Sequence, residues 1–93
     1  MVRISVKFFG PFRDLFGGRE RMIESDSELR LGQLLERLCD TPEKQKQVFQ
    51  GGEMPPSHIV IVKNGTPVHG ADRRETLLRD GDVIAVFPFL GGG

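Results

Sequence analysis

Apolar residues occupy every second position from Val2 to Phe8, with polar residues between them. A period of two is typical of a strand with one buried face. Gly10 and Pro11 end this segment and predict a short helical turn after it. A weaker strand-like segment follows from Arg19 to Ser25. The two segments together predict an antiparallel hairpin.

Leucine residues in the next segment recur at helical spacing, at Leu31, Leu34, Leu35 and Leu38. Such a stripe predicts an amphipathic helix, although no residue marks its start clearly. Thr41 has the character of an N-cap, and Pro42 suits the first helical position. A second short helix is therefore predicted through Phe49.

The second half of the chain predicts further strands. His58 to Lys63 is rich in β-branched residues, and Asn64-Gly65 is a strong hairpin signal. Pro67 to His69 is predicted as a brief edge strand and Thr76 to Leu78 as a short helical turn. Val83 to Phe87 is the last strand. The order ββαββ predicts an α+β fold, a mixed sheet of four to five strands with one main helix across one face.

Composition narrows the classes of partner. The chain has 93 residues, 13 basic and 13 acidic residues and a net charge of zero, which argues for one domain and against nucleic acid or an anionic membrane as the main partner. Cys39 is the only cysteine, so no internal disulfide is possible. We see no secretory signal and no stretch long enough to span a bilayer, and we expect a cytoplasmic protein.

Side chains with obvious chemistry are few. His58 and His69 stand apart from each other and from Cys39, so no metal site is expected. Cys39 ends the leucine-striped helix, where a buried structural thiol is the usual case. Arg73-Arg74 lies between acidic residues and is predicted to be a solvated loop. The domain is not expected to be an enzyme.

The C-terminal tail is the feature of this sequence that could take part in a reaction. The chain ends in three glycines directly after an apolar strand, and glycine allows a thin thread that enters a narrow channel. We therefore divide the chain into a domain of residues 1–87 and a flexible tail of residues 88–93. Six residues extend over roughly 20 Å. An incidental flexible terminus is the alternative interpretation.

A terminal carboxylate is a poor electrophile, and adenylation by ATP would activate it. A sulfur or amine nucleophile would then displace AMP. The domain offers neither a base nor an oxyanion hole for this step, so a partner enzyme would supply both.

Several segments carry a family resemblance. Asp80 to Pro88 followed by a terminal diglycine resembles the end of the β-grasp sulfur carriers of the MoaD/ThiS superfamily. Val6 to Gly17 is similar to the first strand and turn of the MoaD-like small subunits of molybdopterin synthase. Gly32 to Leu35 and Val62 to Gly65 resemble their helix start and central hairpin. Phe89 departs from that pattern, which commonly has a second proline there.

This resemblance implies a ubiquitin-like β-grasp fold and the role of a sulfur carrier. An E1-like, MoeB-type enzyme would use ATP to adenylate the terminal carboxylate, and a sulfur donor would convert it to a thiocarboxylate. A MoaE-type synthase large subunit would receive the tail, and the sulfur would enter a pyranopterin precursor of the molybdenum or tungsten cofactor. The carrier itself would bind no cofactor.

The resemblance also implies roles for the last residues of the chain. Gly92 and Gly93 correspond to the functional diglycine, with Gly93 carrying the adenylate and then the thiocarboxylate. The implied partner contacts are Phe87, Pro88, Phe89, Leu90 and Gly91. A core position remains an alternative for Phe87, because a strand end faces either way.

Other functions would use the same tail. The alternatives are a sulfur carrier for thiamine, cysteine or tRNA thiolation, a ubiquitin-like modifier that joins Gly93 to lysines, and a binding module in which the glycines are incidental.

Overall fold

The computed structural model describes residues 1–52, 54–56, 58–70 and 72–88, and the N-terminal segment forms the predicted hairpin. β1 (Val2–Phe8) pairs antiparallel with β2 (Glu20–Ser25). A short helix, α1 (Phe12–Phe16), lies between them. Gly17 ends α1 in the left-handed region at φ 77°, a conformation that glycine adopts without a steric penalty.

The leucine stripe forms the helix that covers the sheet. α2 (Leu31–Leu38) begins where the Arg30 N–H donates to the side-chain oxygen of Gln33 at 2.8 Å. All four leucines are at most 1% exposed. α3 (Pro42–Phe49) follows, and the Thr41 hydroxyl accepts from the backbone N–H of the third residue of the helix at 3.2 Å. Both predicted helices are confirmed.

The main sheet adds three strands to the hairpin: β4 (Ile59–Lys63), β5 (Thr66–Pro67) and β7 (Val83–Pro88). Its five strands lie in the order β2-β1-β7-β4-β5. β7 runs parallel to β1 and antiparallel to β4, so the sheet is mixed. The mixed sheet and α2 together form the α+β, ubiquitin-like β-grasp fold that the sequence predicts. The last strand extends one residue further than predicted.

The predicted helical turn at Thr76 to Leu78 is wrong. Leu77–Leu78 forms β6, which pairs antiparallel with β3 (Leu29–Arg30) in a separate two-stranded sheet. Leu78 is 1% exposed, so its burial against the core outweighs any local helical preference. The nearest helical turn is a 3₁₀ helix at Arg73–Glu75.

The prediction of a solvated loop at Arg73-Arg74 is also wrong, since both residues are half-buried. The Arg73 guanidinium donates to the Pro55 carbonyl, and Arg74 pairs with Glu36. Gly32 leaves room for the Arg74 side chain, because a Cβ built there would collide with the Arg74 Cγ.

The turn before β7 is held by side-chain amide and carboxylate hydrogen bonds. Asn64, at φ 50°, donates from its side chain to Asp82 at 2.9 Å and accepts from the Val83 N–H at 2.8 Å. Partial burial raises the pKa of Asp82, but hydrogen bonds from the Arg79 N–H and Asn64, with the charge of Lys63, lower it below its usual value. Asp82 thus holds the Asn64 side chain that accepts from the first residue of the strand beginning at Val83.

No helix among the described residues is long and apolar enough to cross a membrane.

The division between core and tail predicts different effects of substitution. Leu34→Ala should lower the free energy of unfolding by about 2–5 kcal/mol, because it leaves a cavity under the sheet. Deleting Gly92 and Gly93 should leave that free energy unchanged. Urea unfolding of both variants measures this, and the opposite order of the two losses would contradict the assignment.

Candidate functional site

β7 lies at the centre of the main sheet and leads directly into the C-terminal tail. β7 has hydrogen-bonded neighbours on both sides, and its helix-facing residues Ile84 and Val86 are at most 2% exposed. The Phe9 N–H extends the pairing by donating to the Val86 carbonyl at 3.1 Å. Pro88, the last residue of the strand, lies opposite Ile59 in the register. The segment that follows therefore starts from a fixed point on the sheet.

Gly10 packs against this point. Its φ is +61°, and a Cβ built on it would lie 3.3 Å from the Pro88 Cγ. A side chain at this position would thus combine backbone strain with a close contact on the last residue of β7. Gly10 allows the turn after β1 to pass directly beside Pro88, which we call the root of the tail.

An aromatic pair lies beside the same point. The rings of Phe9 and Phe87 meet edge to face, with centroids 5.8 Å apart. Such a pair stabilises beyond its area burial. The Arg13 guanidinium lies over the Phe9 ring, with its Cζ 5.6 Å from the ring centroid. Its Nε donates to the Phe8 carbonyl at 3.2 Å.

The aromatic pair belongs to an apolar surface on the side of the sheet opposite α2. In the register, Val60 pairs with Phe87 and Val62 with Ala85, and all four residues are half-buried. Because side chains alternate across a strand, these point away from the core-facing Ile61 and Val86. We call this surface the outer sheet face. Its apolar members are Phe9, Met22, Val60, Val62, Val83, Ala85 and Phe87, and β1 contributes Ser5 and Lys7 to it.

The structure describes two of the predicted site residues. Phe87 lies on the outer sheet face and is not part of the helix-side core, and Pro88 is half-buried at the end of β7. Their roles as partner contacts stay predictions. The other predicted site residues lie outside the described residues: Phe89, Leu90, Gly91, Gly92 and Gly93.

The pattern analysis missed Phe9, Gly10 and Arg13 as members of this site. A usable signal was present in the strands. Val83 to Phe87 and Ile59 to Val62 are apolar at every position, whereas a strand with a solvated outer face alternates with polar residues. An apolar outer face was therefore readable from the sequence, but the neighbours that the turn brings to it were not.

The remaining candidate side chains lie elsewhere. Cys39 is buried at the end of α2, and burial raises the pKa of its thiol to about 11. It is a structural residue, since the thiolate is the nucleophilic form. His58 contacts the Gln50 side chain at 3.1 Å, and His69 is exposed. Within the described ranges no cluster of histidine, cysteine or carboxylate residues is suited to a metal ion.

A groove of about 710 Å³ lies on the helix side, between α3 and the 3₁₀ helix. Glu36 and Arg74 form an ion pair beside it, and Lys46 and Phe49 line its other side. No residue of β7 contributes to its lining, so it is separate from the root of the tail.

The fold and the outer sheet face define a ubiquitin-like β-grasp protein. Small archaeal modifier protein 3 of Haloferax volcanii is 30% identical over 93 residues, covering 99% of this chain and all of that protein. A structure described as molybdopterin converting factor, subunit 1, from Pyrococcus furiosus is 36% identical, covers 95% of this chain and 98% of its own, and has a TM-score of 0.73. Small archaeal modifier protein 1 from Methanosarcina acetivorans is 27% identical, covers 100% and 98%, and has a TM-score of 0.79.

The chain belongs to the ThiS family, whose model matches residues 6–93. This membership confirms the resemblance to the MoaD/ThiS sulfur carriers. Members are small ubiquitin-like carriers and modifiers and not catalysts.

The contact between Gly10 and Pro88 predicts a stability difference between two glycine substitutions. Gly10→Ala and Gly17→Ala both place a side chain in the left-handed region of backbone conformation. Each should lower the free energy of unfolding by about 1–2 kcal/mol. Only Gly10 has Pro88 nearby, since nothing lies within 4 Å of a Cβ at Gly17. Gly10→Ala should therefore lose more stability in urea unfolding and should shift the NMR signals of Pro88. Equal losses with unchanged Pro88 signals would contradict the packing.

Proposed function

We propose that this chain is the small subunit of a molybdopterin synthase and carries sulfur as a thiocarboxylate on Gly93. The observation that carries this proposal is the position of β7, which runs through the centre of the sheet and ends at Pro88 beside an apolar face. Family membership and the 36% identity to the Pyrococcus furiosus subunit support it.

The geometry fits delivery of a terminus into another protein. Five residues follow Pro88 in the sequence, and an extended segment of that length spans roughly 17 Å. Glycine at the last three positions leaves no side chain to block a narrow channel. Because the strand is paired on both sides, the partner would meet a tail whose origin is fixed.

The proposed chemistry takes place in partners. The Gly93 carboxylate attacks the α-phosphate of ATP on an E1-like, MoeB-type enzyme, and pyrophosphate leaves. A sulfur nucleophile from a donor then attacks the acyl carbon, and AMP leaves. In a MoaE-type large subunit the thiocarboxylate sulfur attacks a carbon of a pyranopterin precursor and displaces an oxygen leaving group, which joins carrier and product through a thioester. Hydrolysis of that thioester leaves the sulfur on the product and restores the carboxylate. Cys39 supplies none of these groups, since it is buried and its pKa is raised to about 11.

The outer sheet face gives the partner a surface to bind. It is apolar on the neighbouring strands β7 and β4, and Phe9 beside them is 38% exposed. Ser5 and Lys7 of β1 separate Met22 from this apolar part. Contiguous exposed apolar surface is typical of a protein interaction site. We propose that the partner packs on this face while the tail enters its active site.

Intact mass tests the sulfur-carrier proposal. The protein is incubated with its cognate E1-like enzyme, ATP and sulfide. We expect a mass gain equal to replacement of one oxygen by one sulfur. The gain should be absent when Gly93 is deleted and present with Cys39→Ala, which excludes a persulfide on the thiol. A mass unchanged with an intact tail would contradict the proposal.

The recipient of the sulfur is tested separately. Thiocarboxylated protein is mixed with the large subunit and the cyclic pyranopterin precursor, or with acceptors for cysteine, thiazole or tRNA thiolation. Sulfur loss to the pyranopterin alone supports molybdopterin synthesis. Loss only to another acceptor would assign the carrier to that pathway.

A ubiquitin-like modifier is the second candidate function, favoured by the 30% identity to small archaeal modifier protein 3. It would join Gly93 to a lysine amine. The last basic residue before the tail is Arg79, so trypsin would leave a long remnant on the target, whereas chymotryptic cleavage after Leu90 would leave three glycines. Triglycine-modified lysines in a chymotryptic digest of cells would support this function, and their absence when Gly93 is deleted is the control.

A further inference from the structure

Arg13 lies where the first strand, the tail root and the outer sheet face meet. It is in the first turn of α1, three residues after Gly10. Gly10 in turn packs on Pro88. The turn at Gly10 therefore carries a cation to the side of the sheet from which the tail leaves.

Two contacts fix the guanidinium of Arg13. Its Nε donates to the Phe8 carbonyl at 3.2 Å, and its Cζ lies 5.6 Å from the Phe9 ring centroid. Phe9 is itself held against Phe87 of the central strand. An arginine placed over an aromatic face loses side-chain freedom before any partner arrives. The two terminal nitrogens of Arg13 are not used by either contact.

Three other arginines, Arg3, Arg30 and Arg74, each pair with a carboxylate. Arg3 pairs with Glu24 at 3.7 Å, Arg30 with Glu28 at 3.4 Å. Across the described ranges, no carboxylate lies within 4.0 Å of Arg13. A fixed guanidinium with free terminal donors matches the planar, two-oxygen geometry of a carboxylate.

We propose that Arg13 binds an aspartate or glutamate side chain of the E1-like enzyme that receives the tail. This inference rests on the proposed function, and it names an interaction on that same surface. The apolar outer sheet face would supply most of the contact area. Arg13 would set the orientation, because an ion pair at the border of an apolar interface fixes register and raises the association rate.

A protein carboxylate fits better than the phosphates of a nucleic acid. The chain has no net charge, and Arg13 lies over the Phe9 ring, which in turn packs against Phe87. A guanidinium held over an aromatic ring suits one acidic side chain in a protein interface. A phosphate backbone is bound by several cations.

Steady-state adenylation tests this inference. ATP-dependent pyrophosphate release by the cognate E1-like enzyme is measured while the carrier concentration varies. Arg13→Gln should raise the KM for the carrier about tenfold with kcat nearly unchanged, because it removes binding shared by the ground and transition states. Arg13→Lys, which keeps the charge and loses the planar fork, should fall between Arg13→Gln and the unmodified protein.

A charge reversal on the opposite face is the matched control. Arg21 pairs with Val6 in the register and so lies on the helix side. Arg13→Glu should raise KM more than Arg13→Gln, whereas Arg21→Glu should leave it unchanged. The KM of the unmodified carrier should also rise with salt more steeply than that of Arg13→Gln. Urea unfolding of each variant separates lost binding from lost folding.

Two results would overturn the inference while the proposed function stands. One is normal KM and salt dependence for Arg13→Gln with a normally adenylated carrier. The other is an equal rise of KM for Arg13→Glu and Arg21→Glu. Failure of the unmodified carrier to be adenylated at all would instead contradict the proposed function.

Discussion

The parallel pairing of β1 with β7 is the constraint on which the rest of the structure depends. Parallel neighbours need a long connection that crosses one face of the sheet. Here the whole chain between Phe8 and Val83 makes that connection, and α2 with its leucines covers one face of the sheet. The main helix lies on that side, and on the other face the described residues Val60, Ala85 and Phe87 are half-buried. The same pairing places the end of the chain at the centre of the sheet.

This arrangement separates stability from binding. The helix-side core contains the large buried side chains, among them Ile84 and Val86 from the central strand. The other side of that strand presents Ala85 and Phe87, which are half-buried. One strand therefore serves the fold with one set of side chains and presents the other set on the face proposed to bind a partner. Substitutions on the two faces should affect different properties, even where the residues are adjacent in sequence.

Local signals were sufficient for most of the fold. Alternation identified β1, the leucine stripe identified α2, and Thr41 with Pro42 identified the start of α3, since each depends on residues close in sequence. β6 was missed because two residues pair with Leu29–Arg30, far away in the chain. The site shows the same limit. The tail was readable from its glycines, whereas the place of Arg13 depends on how the turn at Gly10 packs, which no local pattern encodes.

The central claim is that a partner binds the outer sheet face around the root of the tail. The most direct test is an NMR titration of labelled carrier with the unlabelled cognate E1-like enzyme and ATP. We predict that the largest amide shifts and line broadening fall on Phe9, Val60 and Phe87, with the groove residues Glu36 and Lys46 unaffected. Perturbation centred on that groove, with the outer sheet face unchanged, would contradict the account.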